Sequence, residues 1–146
     1  PELLPGTYYI REIVISGWMQ TYPATGKHTV VLASGQTVIK KDFGNFKLGS
    51  ISGMKYNDLN SNGRKDPNEP GLQGWVIKLS KPGTTTPVVS TVTDANGNYS
   101  FGGLTAGTYL LSEVKQPGWI QLQIPGSTTI KSGTNATGKN FGNRLK

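Results

Sequence analysis

The residues best placed to do chemistry are a short run of side-chain oxygens. In DLNSNGRKDPNE, residues 58–69, Asp58, Asn60 and Asn62 fall at alternate positions, Gly63 follows, and Asp66 and Glu69 close the set. A hard divalent cation takes roughly six to eight oxygens, and a loop of about twelve residues supplies them from positions one, three, five, seven, nine and twelve, with glycine at six for the sharp turn. Every side-chain slot of that template is filled here. Arg64, at position seven, would bring its backbone carbonyl and leave its guanidinium outside. Three of the chain's eight carboxylates sit in this one loop, where they repel one another without a counter-ion. The expectation is a Ca2+ site. An Asx-rich turn uses the same residue types, but it does not require a glutamate at the twelfth position.

The rest of the chain must position that loop. Its 146 residues include 20 glycines and nine prolines, and with many Thr, Val, Ile and Tyr this is the composition of short strands joined by tight turns. The expected class is all-β. Ser50 to Tyr56 reads as a first strand, the oxygen loop follows it, and Trp75, Ile77 and Leu79 share a face of the next strand by the two-residue period. Further strands are expected near 88–93, from Tyr99, over 108–114 with Tyr109 and Leu111 on one face, over 119–124 and over 140–144. Asp94-Ala95-Asn96-Gly97-Asn98 has hairpin-turn chemistry, so Asp94 and Asn96 are read as a turn and not as a second ion site. About seven strands with turns every eight to twelve residues make a sandwich.

Composition also excludes functions. There is no cysteine and one histidine, so the chain offers neither a thiol nucleophile nor a base with a partner, and no enzyme is expected. His28 lies in a Gly, Lys and Thr stretch and is expected to be exposed. The net charge of +7 is spread over 15 Lys and Arg that never exceed a doublet, so no nucleic-acid stripe forms. Weak attraction to anionic wall or envelope polymers is the partner that charge allows. No apolar run is long enough to span a bilayer, and the opening proline reads as a mature product or an excised piece. Asn98 and Asn135 head glycosylation triplets, weak signs of exposure.

The chain repeats itself. GTYYIRE at 6–12 returns as GTYLLSE at 107–113, Gly17-Trp18 as Gly118-Trp119, and Phe43-Gly44-Asn45 as Phe141-Gly142-Asn143. The period is about a hundred residues, a usual domain size. Residues 1–47 therefore read as the C-terminal half of one repeat and 49–146 as a complete one. The half-repeat leaves an apolar face and open edges. It is completed either by upstream chain, the simpler expectation, or by strand complementation from another molecule. Recurrence of Trp18 and Trp119 favours packing over sugar stacking. The competing function is a glycan- or protein-binding adhesin module.

Residues 57–72 (NDLNSNGRKDPNEPGL), 93–101 (TDANGNYSF) and 104–119 (LTAGTYLLSEVKQPGW) resemble the SdrD B-like repeats of cell-surface proteins, within the wider Cna B-type, prealbumin-like sandwich group. The resemblance implies an extracellular, non-enzymatic stalk module stiffened by calcium, with neighbouring repeats of the same or another copy as partners. The wider group also implies an isopeptide bond between a first-strand lysine and a last-strand Asn or Asp, promoted by a buried acid. Burial favours the neutral amine and the protonated acid, which is what condensation with loss of ammonia needs. Glu113 matches the group's glutamate, with Lys55 on the first strand and Asn143 (or Asn140) on the last. In that group the lysine stands two residues before an aspartate. Lys55 stands three before Asp58, a spacing that turns it to the other face, so the register favours a solvated Lys55 beside a strand-end Glu113.

Overall fold

The computed structural model describes residues 2–146. They fall into two units, one running to Lys47 and the other Leu48–Lys146. Among the described residues there is no helix.

The first unit holds β1 (Gly6–Ile10), β2 (Trp18–Tyr22), β3 (His28–Leu32) and β4 (Gly44–Lys47). β1 pairs antiparallel with β3, and β2 with β4. Much of its apolar surface is bare: Ile13 is 95% exposed, Ile15 65% and Trp18 37%. His28 departs from its expected exposure. It is buried, packing edge-on between Tyr22 and Phe43, with Nε2 2.6 Å from the Asp42 carbonyl. The two aromatic rings reach it from other segments, a contact that its Gly, Lys and Thr neighbours in sequence do not announce.

The second unit holds β5 (Gly49–Asn57), β6 (Val76–Ser80), β7 (Val89–Val92), β8 (Asn98–Leu104), β9 (Gly107–Glu113), β10 (Trp119–Gln123), β11 (Thr128–Ile130), β12 (Asn135–Ala136) and β13 (Phe141–Leu145). One sheet is organised on β5, which pairs antiparallel with β8 and parallel with β12 and β13, while β10 lies beyond β13. The other runs β11-β9-β6-β7. The two-residue period does what it should: Ile77, Leu79, Tyr99, Phe101, Tyr109 and Leu111 are buried and their immediate neighbours are not. Ile51 and Phe141 bring the β5 sheet to the same core. The expected strands are all present, with β11 and β12 added.

β5 breaks the alternation at its far end, where Lys55 and Tyr56 are both fully buried. A central strand covered on both faces has no solvent side to offer. Gly97, with φ +79°, lies so close that a Cβ would meet the Lys55 carbonyl at 2.2 Å. The hairpin after β7 therefore needs a glycine to lie against β5.

Candidate functional site

β5 ends in the oxygen loop and carries Lys55 just before it, so one strand positions both candidate sites. In the loop, Asp58 is fully buried and Glu69 is 5% exposed. Asp58 accepts hydrogen bonds from the Asn62 and Gly63 amides at 3.1 and 2.7 Å, and Glu69 accepts from the Leu59 and Asp66 amides at 2.9 Å each. Asp66 receives the carboxamides of Asn60 and Asn62 at 2.8 and 2.7 Å. Those two hydrogen bonds, foremost, hold the Asp66 carboxyl below its usual range, with smaller help from the Lys65 and Arg64 charges. Ser61 and Gly63 take left-handed φ values of 60° and 71° and curl the chain inward.

The donor chemistry fits a hard cation. Two carboxylates are buried, and among the described residues neither forms an ion pair; their partners are backbone N–H groups. A buried carboxylate without a counter-charge is costly, and a bound cation would offset that cost. Among the described residues no three His, Cys, Asp or Glu side chains form a ready metal cluster. A cation would therefore depend on the Asn60 and Asn62 carboxamide oxygens and the Arg64 carbonyl to complete its shell.

The second site was legible only in part. Lys55 does not point to solvent as its spacing from Asp58 suggests. Its Nζ lies 2.6 Å from Glu113 Oε2, with both side chains essentially inaccessible. The other Glu113 oxygen accepts from Asn143 Nδ2 at 2.7 Å. One carboxyl thus bridges amine and carboxamide, while Asn143 Oδ1 is enclosed with no hydrogen-bond partner among the described residues. Asn140 is not in this cluster; its Oδ1 accepts from the Met54 amide at 3.0 Å. The walls are aromatic. Lys55 Nζ sits 4.2 Å from the Trp75 ring centre, and Trp75 packs edge-to-face on Trp119 at 5.6 Å. Burial pulls the Lys55 ammonium down to about 8, against the opposing hydrogen bond and charge of Glu113. Alternation does not assign the face of Lys55, because β5 is buried on both faces here. A deficit of free amine is therefore removed in part by the fold itself, and a carboxyl stands where it can pass a proton between nitrogen atoms.

Comparison with known proteins agrees with the all-β sandwich. Residues 49–142 match the family profile of the SdrD B-like domain. Colossin-A of Dictyostelium discoideum is 29% identical over 128 residues, 82% of this chain and 1% of its own length. Serine-aspartate repeat-containing protein C of Staphylococcus aureus (strain MRSA252) is 32% identical over 92 residues, 63% of this chain and 9% of its own length. The chain thus spans a small part of the relatives it matches. Among solved structures, GBS52, the minor pilin of Streptococcus agalactiae, superposes with a TM-score of 0.53 at 17% identity, over 86% of this chain and 63% of that one. BcpA, the major pilin subunit of Bacillus cereus, gives 0.51 at 25% identity, over 68% and 29%.

Proposed function

The chain belongs to the SdrD B-like domain family, and from that premise we propose that it is a passive spacer repeat of an extracellular surface protein or filament, braced by Ca2+ and by a Lys55–Asn143 cross-link. Its nature as a structural repeat of surface or pilus-type proteins follows from the family match and from the sandwich it shares with pilins. Nothing in that family reading is enzymatic. We read residues up to 47 as the C-terminal half of one repeat and 49–146 as a complete one. The partners are neighbouring repeats, and among the described residues no helix is long and apolar enough to cross a membrane.

The observation that supports the mechanical reading is the convergence of two side-chain clusters on β5. Asp58 at its end heads the oxygen loop, and Lys55 faces Glu113 and Asn143. Asp58, Asn60, Asn62, Asp66 and Glu69, with the Arg64 carbonyl, would hold the cation, which supplies positive charge to two buried carboxylates. Extracellular modules bind calcium at about 0.1–1 mM, so occupancy suits the outside of a cell. For the cross-link, the neutral Lys55 amine attacks Asn143 Cγ, the Nζ–Cγ bond forms, the Cγ–Nδ2 bond breaks and ammonia leaves. Glu113 carries the proton from Nζ to the departing nitrogen. A link between residues 55 and 143 closes a long loop of the unfolded chain and, by the chain-entropy account used for disulfides, stabilises by about 4–5 kcal/mol.

The test is an intact mass under denaturing conditions beside thermal melts in calcium and in chelator. The expected mass is the sequence mass less one ammonia, and the expected melt is higher in calcium. The unmodified mass, with identical melts, would leave the adhesin reading in better standing.

A further inference from the structure

The chemistry not yet accounted for lies in the first unit. Its ladder between β2 and β4 repeats the ladder between β10 and β13 residue for residue: Trp18 faces Lys47 as Trp119 faces Leu145, Gln20 faces Asn45 as Gln121 faces Asn143, and a bulge follows in both. Tyr8 donates its hydroxyl proton to the Leu4 carbonyl as Tyr109 does to that of Thr105. At the matching place Asn45 Nδ2 donates to Glu12 Oε2 at 2.8 Å, as Asn143 Nδ2 donates to Glu113 at 2.7 Å.

The third member is what differs. The second Glu113 oxygen takes the Lys55 amine, whereas Glu12 Oε1 is enclosed and, among the described residues, has no hydrogen-bond partner. An enclosed carboxylate oxygen left unsatisfied is unfavourable. Glu12 and Asn45 line a cavity of about 300 Å³ together with Ile13, Val14, Ile15 and Trp18. Among the described residues β4 pairs only with β2, while its counterpart β13 pairs on its other side with β5. In the second unit these places are filled by the stretch from Leu48 to Leu104, which brings Lys55 to Glu113 and Trp75 to Trp119.

We propose that Glu12 and Asn45 are the acceptor half of a second lysine–asparagine cross-link, completed when the first half of another repeat of this kind adds to β4 and presents a lysine at the position of Lys55. The inference rests on the cross-link reading above and extends it to a site between chain segments. The incoming strand adds edge to edge, by main-chain hydrogen bonds, in the parallel register that sets Phe141 opposite Lys55. The new Nζ–Cγ bond forms on Asn45, the Cγ–Nδ2 bond breaks, and Glu12 moves the proton from the amine to the leaving ammonia. No oxidant or other reactant enters.

The experiment incubates the full chain with a polypeptide of residues 48–104 and reads intact mass under denaturing conditions. The expected product is the sum of the two masses less one further ammonia. It falls to background with Asn45→Ala, with Glu12→Gln, and with a segment carrying Lys55→Arg. The same segment joined ahead of Pro1 gives an independent reading, the loss of one more ammonia per chain. No adduct and no extra loss overturn the proposal, as does an adduct that survives Asn45→Ala or requires Asn143. The mass of the chain alone keeps the two readings apart. Ammonia lost from the chain without any adduct sinks only this inference, whereas no loss in either sinks the cross-link reading beneath it.

Discussion

The pairs Glu12–Asn45 and Glu113–Asn143 are built by the same residue types at the same ladder position and nearly the same distance, yet only one sits in a closed box. Around Glu113 the box is made by strands that come earlier in the chain. β5 brings Lys55, and the entry to β6 brings Trp75. Around Glu12 the described residues supply no such walls, and Trp18 is 37% exposed where its counterpart Trp119 packs on Trp75. The late strands of the fold thus preform the acid and the carboxamide, and the early strands supply both the amine and the burial that lowers its proton affinity. Acid and amide need no lysine in order to find each other.

That contrast is broken or sharpened most strongly by removing each acid. Glu113→Ala should cost at least about 3–5 kcal/mol in denaturant unfolding, because it strands a buried ammonium, and it should restore the unmodified mass. Glu12→Ala should cost about 1 kcal/mol or less, since water can reach the Asn45 side chain it leaves. Equal costs would mean that the two boxes do not differ as described. Next comes pH. In an Asn143→Ala chain the proposed cross-link could not form and Lys55 would stay titratable, faced among the described residues by the charge of Glu113 of β9 and by the Trp75 and Phe141 rings. Its folded-state value, about 8, lies below the ordinary 10.5, so the unfolded chain binds the extra proton between them. Stability should rise with pH across that window and be lowest, from this group, below about 8. The cross-linked chain has no Lys55 ammonium to titrate and should show no such rise.

What the sequence could and could not reveal follows from how local each signal is. The spacing of the oxygen loop is written in consecutive residues, and the folded loop keeps Asp58, Asn60, Asn62, Asp66 and Glu69 in mutual hydrogen-bond reach through side chains and backbone. The facing of Lys55 was not legible. Alternation assigns a face only where one side is wet, and Lys55 and Tyr56 are both fully buried. β11 and β12 were missed because Thr128–Ile130 and Asn135–Ala136 are very short and lie among Ser, Thr, Gly and Lys, the composition of a loop. His28 was misread because Tyr22 and Phe43 cover it from a distance in sequence.

The proposed Ca2+ brace would separate the units by a smaller margin, since the described residues of the first hold no matching oxygen loop. At ten times the dissociation constant the ion should add about 1.4 kcal/mol. The loop's hydrogen bonds decide which variant reads this cleanly. Asp58 is fully buried and holds two backbone amides, so Asp58→Ala should lose about 1–3 kcal/mol in calcium and chelator alike, on top of the ion's share. Asp66 meets the carboxamides of Asn60 and Asn62 near the surface, where water can replace it. Asp66→Ala should therefore abolish the calcium shift of the melting temperature and change little in chelator. A shift that survives Asp66→Ala would remove the loop as the site.

The smallest effect, and the one that bears most directly on the rival adhesin reading, belongs to Trp18. An exposed tryptophan would ordinarily favour a sugar-stacking surface, but here the exposure has a structural cause: among the described residues, nothing beside Trp18 matches the partner that Trp75 provides for Trp119. Trp18→Phe should change stability by about 0.5 kcal/mol or less while lowering the fluorescence that acrylamide can quench, since Trp18 is the exposed tryptophan, Trp119 is half-buried and Trp75 is only 2% exposed. Adding the polypeptide of residues 48–104 to the wild-type chain should then protect Trp18 from the quencher, because a half-repeat brings its own Trp75. If Trp18 stays as quenchable with the segment as without it, while the mass adduct forms, the strand has docked without closing the box. The Glu12 site would then react in the presence of water, and the dryness argued for Lys55 would not be what drives the chemistry.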